Sequence, residues 1–300
     1  DLSTHANIVA LCDIDLEGDA AKTVANFPGV PLFTDYRTML EQMGSQIDAV
    51  TVTTPDHTHY PALMMAMGMG KHVFSQKPLS NSIWEARQLL LASRHYGVVT
   101  QMGIQGHTYQ GMRLLREWIE AGAIGDVTQV RYWTNRPIWP QGPEERPFSD
   151  GLHPKKWRAS WDYGCGALGD IGCHLFDAAF WALDLGIPDS VAVEAVTDFT
   201  ELSAPASSVL RYSFSRNRAG KKINPVEFLW SDGGLKPVRP TELGADAALH
   251  EQFGQLVHGT KGTIYSPSGY CETLRLIPEA AMQAFKRPAP KYPRVKGGPI

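Results

Sequence analysis

The feature that most constrains this chain is the alternation in its first third, where short apolar or β-branched runs are separated by helical stretches. Residues 7–12 read as a buried strand and residues 15–27 as the helix after it. Residues 48–53 form a second strand ending at Thr54 and Pro55. A helix over 60–70, rich in alanine and methionine, stops at glycine. A third strand at 72–75, a helix over 83–96 closed by Gly97, and a fourth strand at 98–102 complete the series. Strands joined by helices of about a dozen residues require right-handed crossovers, hence a parallel sheet.

The pattern changes after about residue 105. A helix over 110–121 precedes an alternating, half-exposed strand at 127–134, then a loop over 135–161 rich in tryptophan and proline. A helix near 170–183 follows, with strands near 191–196, 208–214, 227–230, 262–265 and 273–277. Fewer helices and more alternation predict a mainly antiparallel sheet. The expected fold is therefore α/β: a parallel-sheet domain over residues 1–103, lacking its first strand, then an α+β domain over 104–300 with a large open sheet.

Composition removes several function classes. With 28 basic and 31 acidic residues the net charge is −3, and no block of like charge offers a nucleic-acid surface. No apolar run approaches the ~20 residues that span a bilayer, so no membrane partner is expected. Cys12, Cys165, Cys173 and Cys271 are scattered without C-x-x-C spacing. Free thiols and no metal site follow. The proline-rich basic tail over 286–296 reads as a solvated strap.

A dinucleotide fold opens with a strand and a G-x-G-x-x-G turn whose amides hold the pyrophosphate. That turn is absent here, and the chain begins at what reads as the lead into the second strand. The expectation is a piece lacking roughly thirty N-terminal residues, the size of one βαβ unit. The acid due after that strand is present as Asp13. A carboxylate there accepts the adenosine-ribose hydroxyls and repels a 2′-phosphate, which favours NAD over NADP. Helix capping by Asp13 or Asp15 is the competing role.

Three segments carry a family resemblance: TTPDHTH over 53–59, GKHVFSQKPL over 70–79, and GALGDIGCHLFD over 166–177. Their order and spacing resemble the glucose-fructose oxidoreductase / inositol dehydrogenase / rhizopine-catabolism (Gfo/Idh/MocA) family. The resemblance implies a Rossmann domain, then a domain whose open sheet joins copies into a homo-oligomer. The family's E-K-P signature falls on Gln76, Lys77 and Pro78, which places Lys77 near the nicotinamide and the reacting carbon. An ammonium partly desolvated beside a cationic ring is suited to proton transfer. Gln76 replaces the glutamate that contacts the nicotinamide ribose, keeping hydrogen bonding and losing a charge. The D-x-G-x-H pattern falls on Asp170 and His174, four apart on one helical face. His174 is implied as the proton-relay partner of Lys77 at the substrate hydroxyl, with Asp170 orienting substrate or tuning His174. Asp177 reads as a helix-surface acid.

Further cofactor contacts implied are Thr54, Pro55, His57, His59, Gln101 and Gly103. Residues 102–107 resemble a subgroup with Gly-Asn-Gln-Gly-His, Ile104 standing for the asparagine, which makes Gln105 and His107 substrate candidates. Trp157, Arg158, Trp161 and Tyr163, with the basic stretch from His153, offer aromatic faces and basic heads to a pyranose. The implied activity is hydride transfer between NAD(P) and a ring carbon of a sugar, glycoside or cyclitol. An NAD-dependent glycoside hydrolase working by oxidation and elimination, and a non-catalytic sugar-binding protein, remain open. So does location: cytoplasm, or periplasm if a preceding segment carries an export signal.

Overall fold

The computed structural model describes residues 2–139, 156–198, 200–244 and 247–295. The chain divides into two compact units, Asp1–Gly103 and Ile104–Ile300. In the first, β1 (Leu11–Cys12) pairs in parallel with β2 (Leu32–Phe33). β3 (Ala49–Val52), β4 (His72–Gln76) and β5 (Thr100–Gly103) form a three-stranded parallel sheet in that order. Its helices are α1 (Ala21–Asn26), α2 (Tyr36–Met43), α3 (Asp56–Gly68) and α4 (Ile83–Tyr96). One core holds them together, with Leu40, Leu63, Ala66, Met67 and Leu89 buried against Val52 and Val73.

Local chemistry explains these boundaries. Ser82 accepts the Glu85 amide at 3.2 Å, and Gly97 ends α4 in the left-handed region at φ 62°. The serine with glutamate three residues on is the spacing of a capping box. The helix expected over 15–27 starts only at Ala21, because both carboxylate oxygens of Asp15 are committed to a turn, accepting the amides of Gly18 and Asp19. The strand expected over 7–12 pairs only at Leu11 and Cys12, since β2 is two residues long. The α3 helix begins at Asp56, four residues ahead of expectation, with Pro55 at its N-cap. Proline suits a helix entry because its missing N–H is not needed there.

In the second unit, α5 (Gln110–Glu120) leads into β6 (Val127–Thr134), and α6 (Gly166–Leu183) precedes β7 (Ser190–Thr197), β8 (Ser207–Arg216) and β9 (Lys222–Ser231). β10 (Phe253–Gly259), β11 (Gly262–Ser266), β12 (Arg275–Ile277) and α7 (Glu279–Ala284) finish it. The seven strands run β12-β11-β10-β6-β9-β8-β7. Every pairing is antiparallel except β6 with β9. This is the Rossmann-type parallel sheet followed by a large, mainly antiparallel sheet that the sequence implies. The helix α6 lies on the sheet through Phe176, whose ring meets Tyr132, Phe228 and Trp230.

The basic tail is largely exposed, as a solvated strap would be, but it is not free: it is tied to α5. The buried carboxylate of Glu117 on α5 accepts the amides of Lys291 and Tyr292 and both terminal nitrogens of Arg294. Glu120 accepts Lys291 Nζ and the Tyr292 hydroxyl, and Tyr292 packs edge-on to Trp181 at 5.1 Å. The sequence does not show this tie because proline-rich basic chains lack periodicity, whereas the partners here are two acids one turn apart on α5.

Candidate active site

In the first unit the implied residues gather at the carboxyl ends of β3, β4 and β5, where parallel sheets bind ligands. Gln76 ends β4 and pairs in register with Gly103 at the end of β5. A Cβ at Gly103 would lie 3.0 Å from Gln76 Nε2 and 3.0 Å from the Phe74 ring, so this glycine makes room for Gln76. The Lys77–Pro78 peptide is cis, and Lys77 is half-buried directly after the strand. Thr54 and Pro55 are exposed at the end of β3, with Thr54 Oγ1 accepting the Thr58 hydroxyl at 2.6 Å. His57 lies in the first turn of α3. Gln101 turns back to donate to the Met102 carbonyl at 2.7 Å.

His59 has a structural role that the sequence reading did not foresee. It is 1% exposed, with Nδ1 at 2.8 Å from the Pro78 carbonyl and Nε2 at 2.6 Å from the Thr54 carbonyl. Burial holds its pKa below the ordinary imidazole value, although both carbonyls pull upward. With its pKa lowered the ring is neutral and its single N–H serves one of the two carbonyls, so it braces the loops that follow β3 and β4. His59→Leu is expected to cost about 2 kcal/mol by stranding that carbonyl. Equilibrium denaturation measures it, and a loss below about 0.5 kcal/mol would mean that water replaces the ring.

Asp13 follows β1, its amide bonded to the Phe33 carbonyl and one carboxylate oxygen accepting the Asp15 amide at 2.9 Å. It caps no helix, since α1 begins at Ala21. The donor set suits a nicotinamide dinucleotide: a carboxylate after one strand for ribose hydroxyls, and Gln76 and Lys77 after another.

In the second unit α6 presents Asp170, His174 and Asp177, spacings of four and three that share one face. Asp170 and His174 are buried, at 8% and 4% exposure, and the Tyr270 ring meets His174 edge-on at 5.0 Å. Asp177 is more than a surface acid: its Oδ2 lies 2.8 Å from His107 Nδ1. A carboxylate there holds the Nδ1–H tautomer and leaves Nε2 as the basic nitrogen. Trp181 backs the His107 ring edge-on at 5.4 Å, and Arg113 donates to the His107 carbonyl. Gln105 occupies the same short 3-10 turn, its Oε1 buried and without a partner.

Trp157 and Arg158 lie in a 3-10 turn over Lys156–Ala159, stacked at 4.2 Å. Trp161 is exposed and donates to the Thr200 carbonyl at 3.4 Å, while the Tyr163 amide bonds the Ser160 carbonyl at 3.1 Å. His153, Pro154 and Lys155 lie outside the described residues. The sequence reading missed Arg136, Trp139 and Tyr270. Only tertiary structure brings them to α6, although a lone arginine directly after a buried strand was a usable signal.

A parallel-sheet dinucleotide unit followed by an open-sheet unit bearing a buried acid and histidine on one helix defines a nicotinamide oxidoreductase fold. The family described as "Oxidoreductase family, NAD-binding Rossmann fold" matches residues 1–104, and the GFO/IDH/MocA C-terminal domain matches residues 112–220. This chain belongs to the Gfo/Idh/MocA family. It is 27% identical over 267 residues to levoglucosan dehydrogenase of Pseudarthrobacter phenanthrenivorans, covering 86% of this chain and 63% of that protein. It is 30% identical over 214 residues to an uncharacterized oxidoreductase of Bacillus subtilis, covering 70% of this chain and 57% of that one. An NAD-binding oxidoreductase from Klebsiella pneumoniae shares the fold at 24% identity and TM-score 0.61, over 89% of this chain and 65% of its own. The chain spans about half to two-thirds of the first relatives it matches. Among the described residues no helix is long and apolar enough to cross a membrane, and none of the four cysteines forms a disulfide.

Proposed function

We propose that this chain serves an NAD-dependent oxidoreductase that moves a hydride between nicotinamide and a ring hydroxyl carbon of a sugar, glycoside or cyclitol. The observation that carries this reading is the α6 face with Asp170, His174 and the Asp177–His107 pair, in a chain whose other unit presents Lys77 at a strand's carboxyl end. When bound, the nicotinamide supplies the hydride chemistry. Asp13 accepts the adenosine-ribose hydroxyls, which supports NAD over NADP. Gln76 hydrogen-bonds the nicotinamide ribose, with Thr54, Pro55 and Gln101 beside it. Lys77 holds the proton leaving the substrate hydroxyl, and His174 relays it. Gln105, His107 and the aromatic residues Trp157, Trp161 and Tyr163 orient the ring. Copies associate through the open sheet of the second unit, a reading supported by the outward Val191, Val193 and Val196 of its edge strand β7.

The test uses full-length protein: calorimetric titration with NAD and NADP, then a panel of sugars and cyclitols followed by nicotinamide absorbance. NAD binding with substrate-dependent reduction is the expected result. Failure to bind either nucleotide would sink the proposal. Aglycone release without net reduction would transfer it to the oxidation–elimination reading.

A further inference from the structure

The carboxylate of Asp170 faces two guanidiniums. Arg158 Nε lies 3.5 Å from Oδ1 and Arg136 Nη1 lies 3.9 Å from Oδ2. Among the described residues both guanidiniums thus meet Asp170 at ion-pair separations longer than the ~2.7–2.9 Å of a charge-assisted hydrogen bond. One carboxylate against two guanidiniums leaves a unit of positive charge in a confined spot. Both arginine side chains stay 29% exposed, which leaves their donors within reach of a solute.

Trp139 supplies the independent observation. It is 5% exposed and its ring lies 6.0 Å from the Arg136 guanidinium and 5.9 Å from that of Arg158. Its buried Nε1 donor has no partner. Native proteins rarely leave a buried donor unpaired, because the desolvation loss is not recovered. Among the described residues, Trp139 Nε1 has no acceptor and the two guanidiniums meet Asp170 at ion-pair distance, so three donor groups share one place. The cluster stands at the first turns of α6, whose N-terminus has no side-chain cap and adds the positive end of its dipole.

We propose that Arg136, Arg158 and Trp139 form a subsite for an oxyanion of the substrate, a carboxylate or a phosphate, so that the sugar oxidised is an acidic one. Planar guanidiniums held against tryptophan faces suit bidentate recognition of such groups. Asp170 then keeps both arginines in position. This rests on the reading of the substrate as a sugar, and its test is chosen to fail separately.

Full-length protein with NADH is titrated calorimetrically at low ionic strength with D-glucuronate, D-glucose 6-phosphate and D-glucose. At least one anionic sugar is expected to bind about tenfold or more tightly than D-glucose, the usual worth of hydrogen bonds to a charged group. Which one identifies the oxyanion. Raising salt should narrow the gap, and Arg136→Gln with Arg158→Gln should close it. The salt series on wild-type protein decides if the double variant does not fold. Equal affinities for all three, no binding of either anion, or a gap that survives the double substitution would overturn the subsite. A preference for an anionic sugar in the NADH complex, with no reduction of NAD when that sugar is supplied with NAD instead, would uphold the subsite and remove the dehydrogenase.

Discussion

Lys77→Ala is expected to lower kcat by about 10²-fold or more, the scale on which a positioned proton-transfer group contributes. Lys77 follows β4 directly, between Gln76 and a Pro78 carbonyl that His59 holds at 2.8 Å. The lysine is therefore presented by a braced loop, and alanine removes the amine without disturbing that brace. Cofactor affinity should fall by much less than turnover, so the main loss appears in kcat. The decisive arm is the double variant with His174→Ala. Groups that handle one proton are non-additive, so Lys77→Ala/His174→Ala should turn over about as slowly as the weaker single variant. Losses that multiply would mean independent roles, and a kcat within about threefold of wild type would remove Lys77 from the chemistry.

Arg294→Ala should cost about 3 kcal/mol of folding stability, because it leaves the Glu117 carboxylate buried with only two amides to satisfy it. Glu117 is 3% exposed. Hydrogen bonding from Arg294, opposed by burial and helped by the Lys291 and Tyr292 amides, lowers its pKa from 4.5 to about 2. A carboxyl depressed in the folded state contributes stability above its unfolded pKa and loses it as pH falls through the folded one. The wild-type protein should therefore weaken between pH 4.5 and about 2, and the variant should show a flatter acid limb. Glu117→Gln should cost less, since the guanidinium of Arg294 retains solvent access at 27% exposure. Urea denaturation followed by tryptophan fluorescence reads these differences, with Trp181 reporting directly because Tyr292 lies against it. An unchanged midpoint in Arg294→Ala would show that the tail is held by its other contacts.

Elements whose signals are local were legible in the sequence. The start and end of α4 follow from Ser82, Glu85 and Gly97, and β6 follows from partial alternation in a run of β-branched and aromatic residues. The β10 strand was not legible, because Gly254 is its second residue and Gly259 its last, and glycine has poor β-propensity. The structure explains Gly254: the Trp133 ring occupies the space a side chain would need. Within the site, Asp170 and His174 could be placed on one helical face from spacing alone. The carboxylate of Asp177 could not be assigned, since its partner His107 lies 70 positions away. Trp139 and the pairing of Arg136 with Asp170 were invisible for the same reason, as nothing in local periodicity links a residue after β6 to the first turns of α6.

The parallel pairing of β6 with β9 has a consequence for how such a protein changes over time. Parallel neighbours need a long connection, and here the chain leaves the middle of the sheet at Thr134, rejoins it only at the edge strand β7 from Ser190, and works back through β8 to β9. Arg136, Trp139, Arg158, Asp170 and His174 all belong to that one excursion. On the proposed reading, lengthening or rewriting it would trade one sugar for another while the strands that anchor its two ends keep their register, so selectivity could drift on a scaffold that stays still.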